Sequence, residues 1–153
     1  QVTGSDGKRK IPADDFFLDI MTKALKPTEI ITAVGIPVPS DRAGTSYRKA
    51  AQKASGFAIV GVAACIRLKQ DGVCSEVGVG VTGLGSKPFR ARGVEEALRG
   101  KRLDPSLIKE ASSQVSQGID PLDDLHASAE FRAHLAQVYT ARAIQEAAQR
   151  AGG

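Results

Sequence analysis

FAIVGVAACIRLKQDGVCSEVGVGVTG, residues 57–83, decides the fold. Apolar residues alternate with small or polar ones on both sides of Asp71-Gly72. An Asp-Gly pair between two such runs is a strong hairpin signal, because a type I′ turn needs positive φ at its centre. With Asp71 and Gly72 as the turn centre, Arg67 faces Glu76, an opposite-charge cross-strand pair. Val60, Val62, Ala64, Ile66 and Leu68 then share a face with Val77, Val79 and Val81, and this is the core face. The other face is small or polar: Gly61, Ala63, Cys65, Gly78 and Gly80. The same register sets Cys74 opposite Lys69 and Cys65 opposite Gly78. The two sulfurs share that second face but lie roughly 13 Å apart at ~3.3 Å per residue, too far for a disulfide. Both read as small, buried or half-buried thiols.

Upstream of the hairpin, residues 45–50 (TSYRKA) read as a second strand and residues 40–44 as a loop. Residues 29–38 (EIITAVGIPV) read as a strand closed by Pro37 and Pro39. Residues 11–25 are apolar without a steady period and read as an extended lead-in with a short turn, and residues 1–10 as a loose polar end. Downstream, the pattern turns helical. Residues 92–99 end at Gly100, a C′ glycine. Asp104-Pro105 supplies an N-cap and a first helical position for a helix burying Leu107, Ile108, Ala111 and Val115. Ser128 caps a last helix, whose Phe131, Leu135, Val138, Ala141, Ile144 and Ala148 form an apolar stripe. Strands followed by helices, without βαβ alternation, predict an α+β fold. Its antiparallel sheet has three to four strands, with about three helices on one face.

The 153 residues suit one domain and a tail. The first residue is Gln, which points to a fragment or a processed chain. No run approaches ~20 apolar residues, so a membrane span is not expected, and no signal peptide opens the chain. A net charge of +4 without a basic stripe, a recognition motif or stacked aromatics argues against nucleic-acid binding. Two cysteines and two histidines (His126 and His134) lack the four-ligand spacing of a structural zinc site. They fit a reduced, cytoplasmic chain.

Residue types offer little chemistry. No Ser-His-Asp or Cys-His arrangement is present, nor a phosphate loop. Residues 78–85 (GVGVTGLG) read as a strand running into a turn, with glycines that allow close backbone packing. Asp14-Asp15 and Asp123-Asp124 read as solvated or helix-capping acids. YRKAAQKASGFA, residues 47–58, differs: Arg48, Lys49 and Lys53 gather around small residues just ahead of a core strand. Such a loop can come close to a ligand and present cations to it. The competing reading is a solvated basic turn.

The order of these segments resembles a known family. Arg9, Ile11, Pro12, Asp15, Phe16 and Phe17, then Thr22, Leu25, Pro27, Glu29 and Ile30, then Ile36-Pro37, are similar to R-x-I-P-x-x-D-F-F, T-x-L-x-P-x-E-[IL]-[IL] and I-P. These motifs belong to the medium, FAD-binding subunits of carbon monoxide dehydrogenase and xanthine dehydrogenase-type molybdenum hydroxylases. Residues 47–68 resemble that family's Y-R-K signature. Residues 80–103 resemble its P-x-R-A-x-x-x-E-x-x-L-x-G stretch, and residues 123–144 its A-S-x-x-[YF]-R-x-x-L helix.

The resemblance implies the C-terminal α+β domain of the flavoprotein subunit over residues 27–151, preceded by a tail or linker from the upstream FAD-binding domain over 1–26. It implies FAD in the complete subunit, closed over in part by this domain, with the electron acceptor beyond it. It also implies a molybdenum-cofactor large subunit carrying molybdopterin and an iron–sulfur small subunit carrying 2Fe-2S clusters. Carried over by position, the cofactor-binding residues are Tyr47, Arg48, Lys49, Lys53, Ser55 and Gly56, and no catalytic or metal-binding residue is implied. Two departures stand out: Gln52 replaces the family's Arg, and Ser55-Gly56 replace its usual acid. The glycine-rich pyrophosphate loops are missing from this stretch. The expectation is therefore that it neither holds FAD tightly nor catalyses by itself. A non-catalytic module docking the flavoprotein to its partner subunits is the alternative, and an unrelated small-molecule binding domain is a third reading.

Overall fold

The computed structural model describes residues 1–38 and 41–152. The chain divides into two compact units, Gln1–Pro39 and Ser40–Gly153. In the first unit, strands β1 (Val2–Gly4), β2 (Gly7–Arg9) and β5 (Ile30–Ile31) form a small antiparallel sheet in the order β2-β1-β5. Between them lie a one-turn helix α1 (Ala13–Phe16) and a ribbon of β3 (Phe17–Asp19) with β4 (Thr22–Lys23). The lead-in over residues 11–25 is thus a helical turn and a ribbon.

The strand expected over residues 29–38 shrinks to Ile30–Ile31. There Thr3 faces Ile30 and Val2 faces Ile31, and beyond them only single bonds such as Thr32 N to Gln1 O (3.0 Å) continue the contact. The division falls later than the 26/27 boundary read from the sequence. Glu29 is tied into the first unit by a two-pronged pair with Arg9 (2.7 Å for each prong) and by the Lys26 amide (2.8 Å). The Arg9 guanidinium above all, with that amide, holds the Glu29 carboxyl down at about 2. This gives the R-x-I-P and P-x-E motifs one physical meaning. Among the described residues of this unit only Val2 is a buried apolar side chain, too thin a core for a stretch this short to stand alone.

The second unit carries the main sheet, in the order β6 (Ala43–Ala51), β7 (Ala58–Leu68), β8 (Cys74–Thr82), β9 (Phe89–Arg90), all antiparallel. Helices α2 (Arg92–Leu98), α3 (Pro105–Ser112) and α4 (Ala129–Gly152) follow. The architecture is the α+β one that the order of strands and helices predicts. Val60, Val62, Ala64, Ile66, Val77, Val79 and Val81 are buried on one face, packed with Leu84, Leu98, Ile108 and Ile144. Asp104 caps α3 by accepting from the Leu107 amide (2.9 Å), and Ser128 Oγ accepts from Phe131 N (3.2 Å) at the start of α4. No helix among the described residues is long and apolar enough to cross a membrane.

The hairpin departs from expectation at its tip. Gly72 N donates to Lys69 O and Lys69 N to Val73 O, and among these residues only Gly72 (φ 80) has positive φ. This is a turn centred on Gln70-Asp71 followed by a left-handed glycine, not a two-residue loop. The extra residue is absorbed as a bulge. Arg67 still faces Glu76, while Leu68 faces Cys74. The slip turns Cys74 into the core and leaves Cys65 exposed, so the two thiols lie on opposite faces. Burial raises the Cys74 thiol pKa.

The stripe on α4 is also rotated from the expected one. Arg132, Ala136, Thr140, Ala143, Ile144, Ala147 and Ala151 are buried, whereas Phe131 is 49% exposed. Arg132 accounts for one end of this face. It donates to the carbonyls of Ile59 (2.7 Å) and Gly83 (2.9 Å) and pairs with Asp124 (2.7 Å). That guanidinium, with the His126 and Ala127 amides, holds the Asp124 carboxyl down at about 2. A depressed carboxylate stabilises the fold above its unfolded pKa, and that stability is lost as pH falls through the folded one. The stability gap between wild type and Asp124→Asn should therefore be constant above pH about 4 and close between about 4 and about 2. Urea denaturation across that range measures it, and a gap that persists to the acid end would contradict the assignment.

Candidate functional site

Strand alternation splits the expected basic loop. Tyr47, Arg48 and Lys49 lie on β6, and only residues 52–57 form the connection to β7. Ser46 and Arg48 face α4. Ser46 Oγ donates to Glu146 Oε2, and Arg48 Nε pairs with the same carboxylate at 2.8 Å. Arg150 closes the cluster, bonding Glu146 (2.8 Å) and the Thr45 carbonyl (2.6 Å). The Ser46 hydroxyl first, then the Arg150 and Arg48 charges, hold the Glu146 carboxyl below its ordinary range. Arg48 is thus engaged with helix α4.

Lys49, Ser55 and Gly56 come together in the turn. Lys49 Nζ donates to Gly56 O (2.8 Å), Ser55 Oγ to Gln52 Oε1 (2.7 Å), and Gln52 N to Phe57 O (2.8 Å). Gly56 sits at φ 71, a backbone that favours glycine. Lys53 projects from the same turn, exposed and without an ion pair among the described residues.

Tyr47 stands on the face opposite the helices, 56% exposed. Its ring crosses Gly61: a Cβ on Gly61 would lie 2.6 Å from the Tyr47 hydroxyl oxygen and 3.0 Å from Thr82 Cγ2. Beyond Gly61 the outer face has small residues at its centre, bordered by the Arg90 guanidinium over Gly78 and by the Arg67–Glu76 pair. Ala63 and Cys65 are exposed, Gly78 and Gly80 are half-buried, and a Cβ on Gly80 would meet nothing within 4 Å. Of the glycines over residues 78–85, Gly83 serves close backbone packing, since a Cβ there would lie 2.4 Å from Ile59 O, and Gly78 lies against the Arg90 guanidinium (3.5 Å from a Cβ), whereas Gly80 is open. Ala63, Cys65 and Gly80 leave a small flat platform, with Tyr47 at one edge, Arg90 at the other and the Lys49–Lys53 turn close by in the chain. Backbone faces of this kind admit a planar group to van der Waals distance.

Three structural residues escape a reading based on apolar pattern. Glu95, 2% exposed, accepts from Val79 N (2.8 Å) and from Arg90 Nε (2.6 Å) and Nη2 (2.8 Å). Arg132 and Glu146 play comparable roles on α4. The signal for Glu95 and Arg132 is their place in the spaced motifs, at positions no surface pattern requires, whereas Glu146 lies past those motifs and has none.

Residues 45–147 match the family model described as the CO dehydrogenase flavoprotein C-terminal domain. The chain is 33% identical over 147 residues to the glyceraldehyde dehydrogenase medium chain of Sulfolobus acidocaldarius, covering 96% of this chain and 52% of that one. It is 30% identical over 151 residues to the carbon monoxide dehydrogenase medium chain of Afipia carboxidovorans, covering 99% and 52%. Among solved structures, it resembles carbon monoxide dehydrogenase from Hydrogenophaga pseudoflava with a TM-score of 0.92 and 28% identity, over 97% of this chain and 52% of that one. The chain spans about half the length of the curated relatives it matches.

Proposed function

Because the chain belongs to the family of CO dehydrogenase flavoprotein C-terminal domains, we propose that its bare outer sheet face closes over the isoalloxazine ring of FAD in a complete flavoprotein subunit. The observation that carries this reading is the platform of Ala63, Cys65 and Gly80 between the exposed Tyr47 and Arg90. A flat, apolar, side-chain-poor surface fits a planar ring, and it is the one face of the main sheet that the helices leave open. FAD bound in the complete subunit would supply the redox chemistry between iron–sulfur clusters of a small subunit and an acceptor, with molybdopterin in a large subunit. The residues of this chain exclude water from one side of the ring and add positive potential through Lys49 and Lys53, whereas Arg48 turns to the other face and is answered by Glu146. Tyr47, Ser55 and Gly56 shape the edge of the site.

The first unit serves as the linker from the FAD-binding portion, whose pyrophosphate loops do the main holding. The chain by itself is then neither a tight FAD binder nor a catalyst. Two free thiols fit a cytoplasmic parent enzyme.

The test is made in the complete subunit. Gly80→Leu places bulk where a Cβ meets nothing within 4 Å, so folding is retained while the platform is blocked. The expected result is at least tenfold weaker FAD retention with a changed flavin absorption spectrum. Lys53→Ala should lower the flavin potential, because a nearby cation favours negative charge on the reduced ring. Unchanged spectrum, affinity and potential in both variants would sink the proposal.

A second reading, a module that docks the flavoprotein to its partner subunits, has its own support. Phe57 is 74% and Leu125 90% exposed. The Arg132 clamp draws Ile59 and Asp124, their near neighbours in sequence, to one end of the sheet. Phe57→Ser with Leu125→Ser should lower the yield of the assembled complex without changing flavin content, and normal assembly would exclude it.

A further inference from the structure

At the end of β6 remote from the Gln52–Phe57 turn, the segment leading into the strand and the β7–β8 hairpin enclose an open groove of about 410 Å³. Asp41, Arg42, Arg67, Lys69, Gln70 and Ser75 line it. Three observations converge there. The first is charge. Arg67 is answered and oriented by Glu76 at 2.7 Å, but Arg42 and Lys69 have no carboxylate within ion-pair reach among the described residues. Asp41 stands alone against them.

The second is backbone. Arg42 sits at φ 59, a left-handed conformation that costs a long side chain about 1 kcal/mol or more and that Asn or Gly adopts more readily. The strain is held by the Leu68 amide, which donates to Arg42 O at 3.1 Å. Strained residues of this kind cluster where a ligand is gripped. The third is the bulge at Arg67/Leu68. It breaks the ladder beside the groove, where Ser75 Oγ donates to the Arg67 carbonyl at 3.1 Å.

The geometry points to a small-oxyanion site: a phosphate or carboxylate group held between the Arg42 guanidinium and the Lys69 ammonium. Asp41 at the rim accepts from a hydroxyl on the same ligand. The charges left over are one net positive, which suits a singly charged group bearing a hydroxyl better than a highly charged polyanion. The site is distinct from the platform proposed above and does not depend on it.

The ¹⁵N-labelled 153-residue chain, titrated with sodium phosphate at constant ionic strength, should show saturable amide shifts at Arg42, Lys69 and Ser75 in the millimolar range. Chloride at matched ionic strength should not. Glycolate, a hydroxycarboxylate probe, forms the second arm, and the tighter of the two assigns the head group. Lys69→Ala and Arg42→Asn should each weaken binding about tenfold, the loss of one charge-assisted contact. Arg42→Asn should do so with a Tm at or above wild type, because the left-handed backbone is relieved. Absence of saturable shifts with both anions, or a destabilised Arg42→Asn that binds phosphate as wild type does, would overturn the site.

Discussion

Gly44→Ala is expected to lower the stability of the second unit by about 3 kcal/mol, at the upper end for overpacking, and Gly44→Val to prevent folding. A Cβ on Gly44 would lie 2.0 Å from the Ala147 carbonyl oxygen, 2.5 Å from Ala151 N and 2.9 Å from Arg150 C. All three are backbone atoms of α4, so no rotamer change relieves the clash. The helix itself must lift off the sheet. Its buried face is mostly alanine (136, 143, 147, 151) with Thr140, the composition that lets two backbones approach closely. Lifting it loses contact along that whole face and pulls Glu146 and Arg150 from Ser46, Arg48 and Thr45. For a unit of this size about 3 kcal/mol corresponds to roughly 10 °C in Tm. Gly80→Ala on the same sheet is the control. Its Cβ meets nothing within 4 Å, and it should be neutral or stabilising by up to about 1 kcal/mol through the unfolded state. Equal thermal shifts for the two variants would refute the close-approach account.

The same contact explains what the sequence does and does not disclose. The β7–β8 register is legible because period-2 apolar residues can be buried only one way round, and the Arg67–Glu76 pair agrees with it. The bulge is not legible, since Asp71-Gly72 suits a two-residue loop and a three-residue loop equally. The choice between them decides which way Cys74 points. On α4, hydrophobicity favours Phe131, Leu135 and Val138 for the core. The glycine on the facing strand selects small residues one position round instead, and that selection is a tertiary fact. For the candidate site, Tyr47 to Lys49 read both as part of a strand over residues 45–50 and as part of a cationic loop, because clustered charge says nothing of which face each residue takes. On a strand those residues must divide between two faces, and Arg48 goes to Glu146 while Tyr47 goes to the platform. The glycines of β8 are visible in the sequence. That Gly80 stays open while Arg90 lies over Gly78 is a tertiary fact.

Arg132→Met is expected to cost about 3–5 kcal/mol, the range for breaking a buried charged contact. Met matches the volume of the aliphatic stem, so the loss is chiefly polar. Ladder pairing between β7 and β8 ends at Gly61 and Thr82. Past that point the Ile59 and Gly83 carbonyls converge with no strand partner: Gly83, at φ 80, would put a Cβ 2.4 Å from Ile59 O. One Nη1 donates to both. Without it two inward carbonyls stay unpaired, each costing about 1–3 kcal/mol. The guanidinium is not fully satisfied itself, since its buried Nε has no partner, which holds the loss within the stated range and not above it. Arg132→Lys should recover less than half, because an ammonium cannot span two carbonyls and Asp124 in one plane. Asp124→Asn should cost less than Arg132→Met, since its oxygen still accepts from the His126 and Ala127 amides. Urea unfolding of the two single variants and the double variant gives the coupling between Arg132 and Asp124. If Arg132→Met costs under about 1 kcal/mol, an ordinary surface ion pair, the clamp is not what joins the end of the sheet to α4.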